Sequence, residues 1–247
     1  MTSDDLLTID QRLVEIISAA TISSVSEVIE VMRSIEAELP NEDGLKWFNF
    51  LYLRVTESVR DNPPAVEWEN PQFLERLAVV FAGLYFGAVV NRQRSSANVP
   101  KVWEVLFDAR LNQRISRVQF ALAGMNAHIN RDLAIALLQT AEELGIALRD
   151  NSPEHRDFKR VNDILAVVSD QVKQTLATGI IGEIDQDLGR IDDIIAIWSV
   201  RNARDAAWIE SKLLFASRNI PFFNDTVLAK LDLDFSIVSR ALLLPVL

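Results

Sequence analysis

His128 and Asp132 stand four residues apart in the largely apolar stretch from Val118 to Leu138. On a helix that spacing puts both side chains on one face. There a carboxylate can hold an imidazole in a single tautomer, the arrangement that acid–base chemistry needs. The same spacing suits two ligands of one metal ion. Asn126 and Asn130 form a second pair at the same interval, about 200° around the helix from the first at 100° per residue, so the polar positions face two directions. A helix that is apolar on nearly every side is buried among other helices. An unpaired amide or carboxylate in such a place costs about 1–3 kcal/mol. The chain therefore builds either a polar pocket or a set of mutually satisfied core groups that fix helix register.

Metal chemistry is narrowed by what the chain lacks. It has no cysteine, which removes thiolate ligands, disulfides and cysteine nucleophiles. There is no His-Glu-x-x-His and no Glu-x-x-His pattern. The second histidine, His155, falls in a charged turn at the head of a helix. A divalent metal in the core would be held by His128, Asp132 and Asp163, a set suited to Fe, Mn or Mg. The segment Asn162-Asp163-Ile164-Leu165-Ala166-Val167-Val168-Ser169-Asp170 loosely resembles the second metal motif of class I terpene cyclases. Ala166 replaces its hydroxyl residue and Asp170 its glutamate, and Asp192-Asp193 lacks the last acid of the partner motif.

Arg201, Asn202, Arg204, Asp205 and Trp208 supply a further cluster. Arg201 and Asp205 are spaced to pair, and Arg204 to stack on Trp208. Two guanidiniums at a pocket edge would hold a carboxylate or phosphate, while a solvated helix face is the plainer reading. Trp103, Phe107 and Arg110 share a face of a short helix, with Asp108 beside them. No glycine-rich phosphate loop, nucleophile elbow or kinase signature is present.

The elements that must position these groups are helical. Apolar residues make up 49 % of the 247 residues, and only 8 Gly and 8 Pro interrupt them. Helical period recurs and convincing strand alternation does not, so the expected fold is all-α, a single-domain bundle of about eight to ten helices. Residues 1–40 would form N-terminal helices, 41–220 the core bundle and 221–247 a C-terminal helix. Asn41 reads as an N-cap before Glu42-Asp43, Asn70-Pro71 as cap and first turn, Ser152-Pro153 likewise, and Asn224 as the cap of the last helix. Asn62-Pro63-Pro64 is a breaker. The central helix should run from about Gln113 to Leu144 with Gly124 as its weak point. Gly179 and Gly182 should close the helix before a long one from about Asp185 to Ser217, kinked near Gly189 and stopped by Pro221.

Leu77 to Val90 is uncharged but would span about 21 Å as a helix, short of a bilayer core, so a core helix is expected rather than a membrane span. Gly83 and Gly87, one turn apart, suggest close approach of another helix backbone. A net charge of −10 argues against nucleic acid as a partner. The acidic start does not read as a signal peptide, and the lack of cysteine is compatible with a cytoplasmic setting. Nothing fixes the oligomeric state or whether the apolar tail from Ala241 to Leu247 packs at home.

Several segments together resemble a known family. They are Trp47-Phe48 with Leu51-Tyr52 and Val55-Thr56, Val80-Phe81-Ala82, and Trp103 with Phe107-Asp108. Then come Gly124-Met125-Asn126-Ala127-His128-Ile129-Asn130 with Asp132-Leu133, Val161-Asn162-Asp163-Ile164-Leu165, and Arg201 with Ala203 to Trp208. In that order they are similar to a mostly bacterial domain family of unknown function. The resemblance implies that these motifs belong on one fold. It brings no activity with it. Arg131 stands where an aromatic residue would be expected, so no ring contact is carried over there.

The leading expectation is a soluble protein whose core pocket takes a small, largely apolar molecule and acts on it by acid–base or metal-assisted chemistry. His128 is the base or ligand and Asp132 orients it. Asn126 and Asn130 supply hydrogen bonds, and Asn162, Asp163, Arg201, Arg204, Trp103 and Trp208 complete the wall. The alternatives are a non-catalytic binding or scaffolding module, and a prenyl-diphosphate enzyme with Mg²⁺ at Asn162, Asp163 and Asp170.

Overall fold

Why one segment sits at the centre of the fold follows from its composition. Every residue from Val118 to Ala127 is buried, as a helix without a polar face requires. The structure, a computed structural model, describes residues 3–61, 63, 67–94, 98–178, 200–220 and 222–245, with side chains described for all of these except 3, 4 and 166–178. Among them there is no strand. The helices are α1 (Ser3–Ala19), α2 (Val25–Glu38), α3 (Gly44–Asp61), α4 (Pro71–Gln93), α5 (Lys101–Ala109) and α6 (Arg117–Ala127). A π-helical turn (His128–Asp132) leads into α7 (Leu133–Leu144), followed by α8 (Pro153–Thr178), α9 (Val200–Ala216) and α10 (Phe223–Leu242). The chain is an all-α bundle, as its periodicity predicts.

The rod made by α6, the π-turn and α7 is its axis. Around it pack α3, α4, α5, α8, α9 and α10. Outside these, α2 covers α3 and α1 bridges α2 and α4. The rod starts at Arg117 rather than Gln113 because Ser116 and Gln119 form a reciprocal capping box. It ends at Gly145, whose φ of 65° suits the left-handed cap. Helix α4 starts as expected, with Asn70 accepting from the Phe73 N–H and Pro71 at the first position. By length and apolarity α4 could cross a membrane, the one such helix among the described residues, and half of its most apolar window is buried in the bundle.

Four local expectations change. Helix α3 is capped by Asp43, whose Oδ1 accepts from the Leu45 N–H, and not by Asn41. Asn224 does not cap α10. It ties back to α9, donating to the Leu214 carbonyl and accepting from the Ser217 hydroxyl. Gly83 and Gly87 meet no neighbour within 4 Å of where a Cβ would stand. They lie toward the outside of α4, so among the described residues no helix backbone approaches there.

The close approach occurs at Gly124 instead. A Cβ at Gly124 would fall inside the Phe48 ring, and one at Gly44 inside the Phe120 ring. The rod is not weakened at Gly124, and its irregularity comes four residues later at His128. The expected ends at Gly179, Gly182 and Pro221, and the start and kink of the helix before Val200, lie outside the described residues.

A second buried feature locks the far end of the rod's neighbours. Arg110 at the end of α5 donates to both oxygens of Asp43 and, at 2.7 Å, to Asp10 of α1. Burial works against this guanidinium's charge, but the two carboxylates hold it above its ordinary value.

The two glycine environments give opposite expectations. Gly124→Ala must displace the Phe48 ring and should lower unfolding free energy by about 1–3 kcal/mol. Gly83→Ala meets open space on a helix and should raise it by about 0.5–1 kcal/mol. Urea denaturation of the two variants checks both.

Candidate functional site

The π-turn carries the chemistry. Its closing bond runs from the Leu133 N–H to the His128 carbonyl, five residues back, and it spans His128 to Asp132. Turns of this type are rare and collect at functional sites. Both residues are fully buried. Asp132 Oδ2 accepts from the Trp103 Nε1–H at 2.9 Å and from His128 Nδ1 at 3.2 Å, and its Oδ1 accepts from Arg131 Nη1 at 2.6 Å. A carboxylate in this setting accepts, so the imidazole proton sits on Nδ1 and Nε2 carries a lone pair. That Nε2 has no hydrogen-bond partner among the described residues.

Aromatic rings box the imidazole. Phe81 of α4 lies over its face, ring centroids 3.6 Å apart and planes 7° from parallel. Tyr52 meets it edge-on at 4.5 Å and Phe48 at 5.6 Å, with Trp103 and Tyr85 just beyond. Burial pushes the His128 imidazole below its ordinary pKa. Asp132 pulls the other way without overcoming it. The group is thus a neutral base at neutral pH, oriented by a carboxylate and screened from water.

His128 also borders a cavity of about 290 Å³. Its wall is drawn from α3, α4, the rod, α8 and α9, with Tyr52, Phe81, Met125, Ile129 and Val161 contributing. Arg60 and Glu75, both exposed, stand in the same lining, so the space reaches the surface beside them. Arg204 of α9 lines it too, although this residue is only 7 % exposed. Its Nε donates to Asn162 Oδ1 at 2.6 Å and its Nη2 to the Phe158 carbonyl at 2.9 Å, and the guanidinium sits 4.1 Å from the Phe158 ring centre. Burial drops its pKa to about 9, with Asp205 pulling weakly upward, so it stays charged at neutral pH.

The other candidates lie elsewhere. Asn126 faces α10, donating to the Phe235 carbonyl and the Ser239 hydroxyl, and Asn130 donates to Asn126. The two asparagines thus fasten the C-terminal helix on the opposite side from the cavity, as their angular offset implies. Trp103 reaches the site through Asp132. Trp208 donates to Asp150, stacks on His155 and lies tilted against Phe158. Asp163 is three-quarters exposed and pairs with Arg201, itself exposed.

Arg201 does not pair with Asp205, which instead takes Lys159, and Arg204 stacks on Phe158 rather than on Trp208. No group of three or more His, Asp or Glu among the described residues is placed to hold a metal, so His128, Asp132 and Asp163 are not gathered. The side chain of Asp170, and both Asp192 and Asp193, lie outside the described residues. Sequence reasoning missed the ring box as part of the site. Phe48, Tyr52 and Phe81 belong to the segments that carry the family resemblance, but nothing in their local spacing points toward a histidine so distant in sequence.

The chain belongs to DUF5995, a family of unknown function whose profile matches residues 25–245. The match begins at the first residue of α2 and takes in every element that builds this site. No curated protein and no solved structure matches the chain significantly.

The buried neutral imidazole has a consequence for stability. In the unfolded chain His128 protonates as pH falls through about 6.5, while in the native protein it does not, so the unfolded state binds the extra proton. Stability linked to this group is complete above that value and is lost as pH drops below it, by up to about 1.4 kcal/mol per pH unit, until the native pKa is reached. Wild type should lose stability relative to His128→Gln between pH 7 and pH 5 in urea titrations. An unchanged difference between the two proteins would show that the imidazole charges in the native state.

Proposed function

We propose that this protein binds a small, largely apolar molecule in the cavity beside His128, and that His128 acts on it as a hydrogen-bond acceptor and base. The observation that carries this reading is the asymmetry of the imidazole. Nδ1 is committed to Asp132 while Nε2, on a residue that borders the cavity, has no partner. A buried acceptor without a donor costs about 1–3 kcal/mol. An arrangement made for packing alone would place an apolar ring here or satisfy both nitrogens.

The Asp–His relation is that of an oriented general base. The apolar wall sets the character of the guest, with polar groups at few points, as in small-molecule sites generally. Phe81 covers the imidazole face and also lines the cavity. Asp163 offers no support to a prenyl-diphosphate reading, because it points to solvent and is paired with Arg201. A scaffolding role finds favour in the asparagine contacts to α10 but leaves the orphaned nitrogen and the cavity without a purpose.

His128→Gln removes the base while keeping a side chain of similar size. The expected result is a melting temperature unchanged or raised, as is common when a functional polar group leaves a core. Organic extraction of the purified wild-type protein followed by mass spectrometry should release a small molecule that is absent from Ala78→Trp, in which the cavity is filled. A fall of more than about 6 °C in His128→Gln, roughly 2 kcal/mol for a chain of this size, together with no released molecule, would assign His128 to the framework of the fold.

A further inference from the structure

Among the described residues the buried charges of this protein obey a rule with one exception. Asp43 is met by Arg110, Asp132 by Arg131 and Asp157 by Arg160. Arg204 is buried to the same degree, yet no carboxylate among the described residues touches it. Its Nε and Nη2 are spent on a side-chain amide and a backbone carbonyl, both neutral acceptors. A guanidinium stays charged when buried, and a buried charge is ordinarily paired. Beside it the Asn162 amide is polarised by the same contact. Because Oδ1 takes the Arg204 Nε–H, Nδ2 is left as a buried donor with no acceptor among the described residues. Two donors of one hydrogen-bonded pair therefore want negative charge, and Arg204 stands in the cavity wall.

The rest of that wall sets the remainder of the ligand. Leu74, Leu77, Ala78, Ile129, Leu133 and Leu165 are apolar. The one acid in the lining, Glu75, accepts from the Val25 N–H. A cavity of 150 Å³ is known to hold benzene, so one of about 290 Å³ accommodates roughly a dozen non-hydrogen atoms. One unpaired cation and one amide match a single negative charge with planar geometry, which a carboxylate presents to a guanidinium. A phosphate dianion would leave charge uncompensated.

We propose that the ligand of this cavity is a monocarboxylic acid with an apolar body of roughly ten carbons, its carboxylate held by Arg204 and Asn162 and its body along the α4 and π-turn walls. This rests on the cavity being a ligand site, and it adds the ligand's charge and class. The carboxylate end is fixed at α9, so the body of the acid passes His128, and a donor group carried on that body is what Nε2 accepts from. The carboxylate contact is tested independently of that donor.

Calorimetric titration of the native full-length chain with decanoate, decan-1-ol and decyl phosphate tests the assignment. Decanoate should bind at least about tenfold more tightly than decan-1-ol, the scale of one charge-assisted contact. Arg204→Met should abolish that preference while decan-1-ol binding is kept. Equal binding of acid and alcohol by wild type would overturn the carboxylate assignment and leave the cavity reading standing. Tighter binding of decyl phosphate than of decanoate would also overturn it. Binding of none of the three would overturn both. The comparison on wild type decides the matter even where Arg204→Met fails to fold.

Discussion

The carboxylate of Asp132 is the constraint around which this protein is arranged. It is wholly buried, and an ionised carboxylate in that position must be surrounded by donors. Trp103 supplies one from α5, while His128 and Arg131 supply two from the π-turn itself. Arg131 also approaches Asp232 of α10 at 3.4 Å, and Asp232 accepts from the Lys101 and Val102 N–H groups at the start of α5. One chain of polar contacts thus joins the central rod, α5 and α10. It also fixes the imidazole proton on Nδ1, so the same interaction that fastens three helices also sets the tautomer of the one neutral base in the core.

Packing reinforces this arrangement from the opposite side. Phe48 can lie against the rod because Gly124 has no side chain. From there its ring meets Tyr85 at 4.9 Å and Trp103 at 5.1 Å, both edge-on, geometries that favour aromatic pairs by about 0.5–1.5 kcal/mol each. The rings hold Trp103 toward Asp132 and hold the imidazole in place. The low-dielectric surroundings that depress the His128 pKa are therefore produced by the same residues that close the core. This gives neutral, oriented imidazole without any metal ligand set being required of its neighbours.

Much of the frame was legible in the sequence. An apolar surround at Val118–Leu138 implied a buried helix, and the Asn70-Pro71 start and the Ser152-Pro153 start are chemical signals that act locally. The i,i+4 pairing of His128 with Asp132, and the opposite orientation of Asn126 and Asn130, followed from helix geometry. What failed depended on distant partners. Gly83 and Gly87 had the spacing of a close contact but face outward, whereas Gly124 looked like a weak point and proved to be where a ring packs. The π-turn has no local signature, since Asn130 and Arg131 would sit equally well in an α-helix. Arg204 was placed at a pocket edge on residue type, but its partners Phe158 and Asn162 come from α8, and local spacing suggested Trp208 and Asp205 instead.

Some of the polar groups left over by the fold meet at one cavity. Hydrogen bonding disposes of Asp132, Arg110, Asn49 and Gln119, all buried, with partners for each. Among the described residues four buried side-chain atoms remain without a hydrogen-bond partner, His128 Nε2, Asn162 Nδ2, Arg131 Nε and Thr140 Oγ1, and Arg204 remains without a countercharge. His128 and Arg204 border one cavity and Asn162 is bonded to Arg204, whereas Arg131 and Thr140 do not line it. Each is expensive in isolation, and apolar replacements of similar volume would commonly stabilise such positions. A single chain that satisfies its buried ions elsewhere by ion pairing is capable of satisfying them here. That a residue with an unsatisfied acceptor and a cation without a countercharge line the same largely apolar space is the pattern expected when stability is given up for an amphipathic guest.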